Sequence, residues 1–265
     1  MRMRLVVGLK YILDPEIPPR DFRIDEEARR PIQGRASLVI SPFDENALEL
    51  ALQMKDRDPA TQVVALSAGP ASSEEALRKA LSLRVDEAVR VETEPLEEPD
   101  GAQTALLLAA AVRRLQGDVL LVGRQAGDWD RGQTGPIAAE ILGWPCVTAV
   151  SRIEVADGRL RLRHEGPDGL EVVEAAPPLV VTVTNDEANQ LRIPKARDIL
   201  ATRSKQVARL TLADLGLAAG EVAARTRVTR LYVPVEERQC EWIEGDDAEA
   251  KARALADRLL ALKVL

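Results

Sequence analysis

The stretch GRQAGDWDRGQTGP, residues 123–136, gathers the residue types from which a phosphate-binding loop is built. Gly123, Gly127, Gly132 and Gly135 let a backbone take positive φ and approach a ligand closely. The stretch follows the apolar run GDVLLVG and leads into the helix-like GPIAAEIL, so the free N–H groups of a helix start lie at its end. That arrangement favours an anion, with phosphate the natural candidate. Asp128 and Asp130 are then expected to face ribose hydroxyls or to cap the loop, because like charges repel. Neither GxGxxG nor GxxxxGK[ST] is present, and an ordinary tight connection is the competing reading.

Other chemistry is sparse. The single histidine, His164, sits in the alternating segment RLRLRHE and reads as a strand residue near a surface. One imidazole cannot supply the usual zinc sites, and the Ser/His and Cys/His nucleophiles need a base of that kind. Cys146 and Cys240 show no CxxC or metal spacing and read as inert thiols, so no metal site and no catalytic residue is expected. Chemistry must come from a cofactor or a partner.

The elements that would position the loop are legible. RLVVGL (4–9), TQVVALS (61–67), EAVRV (87–91) and GDVLLVG (117–123) are short apolar runs suited to strands buried on both faces. Amphipathic helices are expected between them over Asp44–Asp56, Ser73–Leu83 and Ala102–Leu115. Alternation of this kind predicts an α/β fold: a Rossmann-like, open, mostly parallel sheet with helices on both faces. Ser72 and Glu75 form a capping-box pattern, and Pro136 stands where a first helical residue belongs. SPFDENA and SAGPASSEEA thereby join the opening stretch at the carboxyl edge of the sheet, where open α/β sheets bind ligands. The residues describe an adenine-nucleotide-sized site without hydrolytic groups.

Beyond Trp144 the pattern changes. Residues 146–176 alternate with period two across the turn signals ADG and GPDG, predicting an antiparallel hairpin extension, and PLVVTVT (178–184) is a further buried strand. Residues 185–206 form a long polar excursion with a short helix near its end, a kind of loop that is usually functional. A terminal helix, apolar at Leu255, Leu259, Leu262 and Leu265, ends the chain. The expected division is a nucleotide-binding domain over 1–235 and a C-terminal arm over 236–265. At 265 residues there is ample material for one large core. The net charge of −7, from 43 acidic and 36 basic residues, argues against nucleic acid or a membrane surface as a partner. No apolar run approaches a membrane span and no signal peptide is read, so a cytoplasmic location is expected.

The chain resembles the beta subunit of electron transfer flavoprotein, a heterodimer with an alpha subunit. The resemblance runs nearly full length through GLKYILDP, SPFDENALELAL, SAGPASSEEALRKAL, GRQAGDWDRGQTGP, HEGPDGLE and NDEANQLRIPKARDIL. It implies FAD held mainly by alpha at the interface and an adenine nucleotide buried within beta. The beta nucleotide would contact Gly8, Ser41, Pro42, Phe43, Asp44, Ala68, Gly123, Arg124, Gln125, Ala126, Gly127, Asp128, Trp129, Asp130, Arg131, Gly132, Gln133 and Thr134. Glu165 matches a glutamate near the flavin domain of alpha, and residues 185–206 correspond to the loop that docks on dehydrogenases. The implied activity is electron transfer from a dehydrogenase to a quinone- or ferredoxin-linked acceptor, in which the protein supplies binding, orientation and electrostatics.

Two departures matter. Where typical members carry a leucine anchor in the docking loop, the aligned position is Ala196, between Lys195 and Arg197, and a basic loop favours an acidic partner. Conventional members read close to DDxNQTGQ and hold AMP; electron-bifurcating members read closer to DGDTAQVGP and hold a second FAD. DWDRGQTGP shares Asp128, Asp130, Gln133, Gly135 and Pro136 with the second pattern, while Trp129 and Arg131 fit neither, so both occupants stay open. Pro15 stands where conventional members have a tyrosine near the flavin. The alternative function is an ATP-binding hydrolase or stress-protein-like domain, which shares the sheet and edge loops but requires neither hairpin, excursion nor arm.

Overall fold

Five apolar runs become the centre of one nine-stranded sheet. A computed structural model describes residues 3–94, 96, 99–156, 158–234 and 240–264. The first run gives β1 (Arg4–Gly8), and β2 (Tyr11–Leu13) pairs outside the main sheet with β5 (Leu38–Ile40). Between these lies a two-residue ladder of β3 (Ile24–Asp25) and β4 (Arg30–Pro31). There follow α1 (Pro42–Arg57), β6 (Gln62–Gly69), α2 (Glu74–Ser82), β7 (Glu87–Glu92), α3 (Gly101–Arg114), β8 (Val119–Gly123) and α4 (Thr134–Leu142). The second half holds β9 (Cys146–Ala156), β10 (Arg159–Gly166), β11 (Gly169–Ala175), β12 (Leu179–Val183), α5 (Ala196–Ala201), β13 (Ala208–Leu210) and α6 (Ala248–Ala261).

The strand order is β11-β10-β9-β12-β8-β1-β6-β7-β13, with every pairing from β9 to β13 parallel. Successive residues of β1 point to opposite faces, as the period of two requires. Leu5 and Val7 enter the core beneath α1 and α2, while Val6 enters the one beneath α3 and α4. The α/β class and the two covered faces are as the sequence predicts.

The hairpin is continuous with the main sheet. The first residues of β9 pair parallel with β12, Cys146 opposite Val180; after a register shift at Val181/Val183, Val150–Ala156 pair antiparallel with β10. Ala149 takes φ +47° there and its N–H donates to Thr182 Oγ1 at 3.1 Å. This bulge bends one long strand out of the parallel sheet and into the hairpin. On the outer edge, β11 leaves Leu170 and Val172 63% and 69% exposed.

Local start signals fare unevenly. Pro136 is the third residue of α4, because the helix already begins at Thr134. The chain enters α2 through a 3₁₀ turn over Ala71–Ser73, and Ser73 Oγ donates to the Pro70 carbonyl, so the Ser72/Glu75 cap does not form. A capping box does form at Asp100 and Gln103 on α3. Within α6 no residue is buried; Leu255 and Leu262 are exposed and Leu259 is half-buried. The boundary expected at 235/236, and Leu265, lie outside the described residues. No helix among the described residues is long and apolar enough to cross a membrane.

Candidate functional site

Gly8, Ala68 and Gly123 stand at the carboxyl ends of β1, β6 and β8, three adjacent strands. The first turn of α1 closes over them. Ser41 precedes that helix and is fully buried, its N–H bonded to the Lys10 carbonyl at 2.9 Å and its Oγ accepting from Gly127 N–H at 3.2 Å. Asp44 accepts the N–H of Lys10 and the N–H of Gly123, both at 2.8 Å. One carboxylate thus joins the end of β1 to the end of β8. Burial pushes its pKa up to about 7, against the two N–H donors and the Lys10 charge, which pull it down; the Asp128 charge adds to the rise.

Gly123 has no room for a side chain. A Cβ there would lie 2.7 Å from Asp44 Oδ1 and from Phe43 Cβ, and 2.9 Å from the Phe43 carbonyl carbon. Gly123→Ala is therefore expected to push the first turn of α1 off β8 and to cost about 1–3 kcal/mol in urea unfolding. An unchanged unfolding midpoint would show that the helix start yields freely.

The rest of the loop is bonded largely to itself. Asp128 pairs with Lys10 Nζ at 2.5 Å and accepts from Trp129 N–H at 3.0 Å; Asp130 accepts from Gln125 Nε2 at 2.8 Å. Both carboxylates cap the loop, one of the two roles expected of them. Asp130 and Gly132 take φ +50° and +62°, the turn that brings the chain to α4. Arg131 lies over the Trp129 ring, 4.9 Å from its centroid, and Arg124 over the Phe43 ring at the same distance. Each pair is a guanidinium–aromatic stack that stiffens a long side chain at the rim.

Beside the loop is a cavity of about 410 Å³ between the N-termini of α3 and α4, lined by Asp100, Gly101, Gly132, Gln133, Arg225 and Thr226 among others. Asp100 brings an ionised carboxylate to its edge, held by hydrogen bonds. Burial raises its pKa, but the N–H groups of Gln103, Thr226 and Arg225 and the Thr226 hydroxyl more than offset this and leave it below the ordinary carboxylate range. Gln103 Nε2 also holds the Val222 carbonyl at 3.0 Å, so residues 222–226 are fastened across the start of α3. Two helix starts and Arg225 border the space, and Arg131, outside its lining, reaches Thr226 Oγ1 at 3.5 Å. The α4 start supplies donors suited to phosphate oxygens, whereas those of Gln103, Arg225 and Thr226 are engaged by Asp100.

The structure thus brings Gly8, Ser41–Asp44, Ala68 and Gly123–Thr134 to one edge. It adds Lys10, Asp100, Gln103, Arg225 and Thr226, which sequence reasoning missed. The spacing of Asp100 and Gln103 is a readable capping-box signal; Arg225 and Thr226 give none, since they arrive from a segment without regular structure. Glu165 is exposed on β10, and Lys195, Ala196 and Arg197 are exposed at the start of α5. These four lie on elements apart from the loop cluster. The apolar residue that the 185–206 loop offers to solvent ahead of α5 is Ile193, 90% exposed. Among the described residues no group of three or more metal-ligating side chains occurs.

Residues 32–215 match the family described as the electron transfer flavoprotein domain, which is more than half of the chain. The chain belongs to the electron transfer flavoprotein family. It is 32% identical over 267 residues to the electron transfer flavoprotein subunit beta of Thermoanaerobacterium thermosaccharolyticum, covering 99% of this chain and all of that one. The corresponding subunit of Megasphaera elsdenii is 28% identical over 275 residues, with 99% of this chain and all of that one covered. That of Clostridium acetobutylicum is 36% identical over 213 residues, 80% of each chain. The glycine-rich loop, α1 and the cavity-bordering starts of α3 and α4 all fall within the family match.

Proposed function

We propose that the chain is the nucleotide-holding half of a heterodimeric electron transfer flavoprotein. Electrons pass from a dehydrogenase to a quinone- or ferredoxin-linked acceptor through FAD at the interface with an alpha subunit. The reading rests on the family and on one observation above all: the Gly132–Gln133 end of the β8 loop meets the α3 and α4 starts around a cavity, on the same carboxyl edge as the ends of β1 and β6. FAD, when bound, supplies the redox chemistry. The residues of this chain bind, orient and exclude water.

In beta the occupant is an adenine nucleotide. Gly132 and the α4 start face its phosphate, and Asp44 holds the two strand ends that form the floor. The cavity continues past the loop to Arg225 and the α3 start, which leaves room for a second phosphate and favours FAD over AMP. The exposed apolar face of α6 and the hairpin, with Glu165 on β10 beside the edge strand β11, are surfaces for alpha. Ile193, Lys195 and Arg197 form the docking surface for the dehydrogenase, an apolar point with basic neighbours. In the alternative, a stress-protein-like ATP-binding domain, these exposed features have no use.

Co-expression with an alpha subunit and nucleotide analysis after denaturation test this. The purified heterodimer is expected to be yellow and to release two FAD and no AMP. One FAD with one AMP would keep the carrier role and refute the dinucleotide in beta. A well-formed heterodimer without flavin, or one releasing ATP, would refute the carrier role itself.

A further inference from the structure

The segment Asp186–Arg192 is fastened along one stripe of α1. Asn46 Oδ1 accepts the Asp186 N–H at 3.1 Å, Gln53 Nε2 donates to the Ala188 carbonyl at 2.7 Å, and Asp56 pairs with Arg192 Nη1 at 2.8 Å. At the centre Glu49, 5% exposed, receives Arg192 Nε and Nη2 at 2.9 and 2.8 Å and the Arg192 N–H at 3.2 Å. Residues 46, 49, 53 and 56 repeat at three- and four-residue steps, which is one helical face. A forked guanidinium on a buried carboxylate is the most directional of these contacts.

The fastening stops at the next residue. Ile193 is 90% exposed, and Pro194 after it restricts Ile193 to extended backbone. The same helix carries, at its other end, Ser41 and Asp44, which hold Gly127, Gly123 and Lys10 of the nucleotide loops. The segment is also tied to the hairpin strands, Asn189 Nδ2 donating to the Ser151 carbonyl and Arg163 Nη2 to Asp186, both at 2.7 Å; α1 is the element that links Ile193 to the nucleotide site.

We propose that the α1 stripe, with the Glu49–Arg192 pair at its centre, is the positioning device of the docking loop: it presents Ile193 pre-formed to a partner surface with an apolar pocket rimmed by carboxylates. The inference rests on the docking role proposed above. Glu49 and Arg192 touch no cofactor; they act through Ile193. Pre-ordering removes the cost of fixing the loop during encounter, so its loss weakens docking and leaves the transfer step unchanged.

The test compares R192M, E49Q and R192K with I193D in the heterodimer. Amide exchange is read by mass spectrometry over 186–197, and KM and kcat are read for flavin reduction by a dehydrogenase. In R192M and E49Q, exchange at 189–193 is expected to rise about tenfold. KM for the heterodimer is expected to rise about tenfold with kcat within about twofold, and R192K falls between. The flavin spectrum and nucleotide content stay as in the parent. Unchanged exchange in both E49Q and R192K would overturn the proposal, even if R192M fails to fold. A raised KM in I193D with a parental KM in R192M and E49Q would also overturn it and leave the docking role standing. A parental KM in I193D would instead remove the docking role, while exchange still reports whether the stripe holds the loop.

Discussion

Asp44→Ala loses about 2–4 kcal/mol of stability at pH 5, because the N–H groups of Lys10 and Gly123 are left without their acceptor in a buried place. The deficit narrows as the pH rises. In the folded protein the Asp44 pKa is about 7, above its unfolded value, so the folded state binds more protons between the two. Its contribution is present in full below the unfolded pKa and declines as pH rises to about 7, by a total on the order of 4 kcal/mol. Urea unfolding at pH 5 and pH 8 measures both effects. Asp44→Asn, which cannot ionise, is expected to lack this decline across the range. A wild-type midpoint that rises from pH 5 to pH 8 relative to Asp44→Asn would contradict the assignment. In the heterodimer, Asp44→Ala is also expected to release the beta nucleotide, since both strand ends of its floor lose their tie.

Arg90→Met is expected to cost about 2–3 kcal/mol in urea unfolding, because a buried guanidinium bonded to three partly exposed carboxylates and a carbonyl is lost. The Arg90 side chain, 4% exposed, binds Glu74 and Glu92 at 3.1 Å, Glu94 at 2.6 Å and the Gly69 carbonyl at 3.1 Å. Glu74 is shared with Arg209 of β13 at 2.9 Å, so one guanidinium ties β6, β7 and, through Glu74, β13. Gly69 follows Ala68, which places this network directly beside the carboxyl edge proposed to hold the nucleotide. Arg209 above all, with Arg90 helping, holds Glu74 below the ordinary carboxylate range, so its contribution is lost as pH falls, opposite in sign to Asp44. The double variant Arg90→Met/Glu74→Met is expected to recover part of the loss, because an apolar pair replaces an ion pair at little cost. A loss below about 1 kcal/mol in Arg90→Met would show that water reaches the network.

The sheet was legible because burial on both faces leaves long apolar runs: β1, β6, β7, β8 and β12 all lie within a few residues of their predicted spans. The strands missed are those with little burial to report. β13 has only Leu210 turned inward, and β3 and β4 are two residues each. In the candidate site the glycines were legible because a close approach admits nothing larger, as Gly123 against Phe43 shows. Lys10, Arg225 and Thr226 were not, because their roles come from chain segments that meet only in the folded protein. Ile193 escaped for another reason. An isolated isoleucine in a polar run reads as core, and only its 90% exposure turns it into a surface feature.

The outer strand of the hairpin has a consequence for the free chain. Among the described residues β11 has one hydrogen-bonded neighbour, β10, and Leu170 and Val172 stand in the open on one of its faces, beside the unpaired edge. An unpaired, apolar strand flank is a template on which another strand can add. At the opposite end of the sheet β13 is three residues long, too short to serve in that way. The two ends are therefore unequal as growth points, and self-association of the chain on its own, if it proceeds through strands, is polar: it begins at Leu170 and Val172.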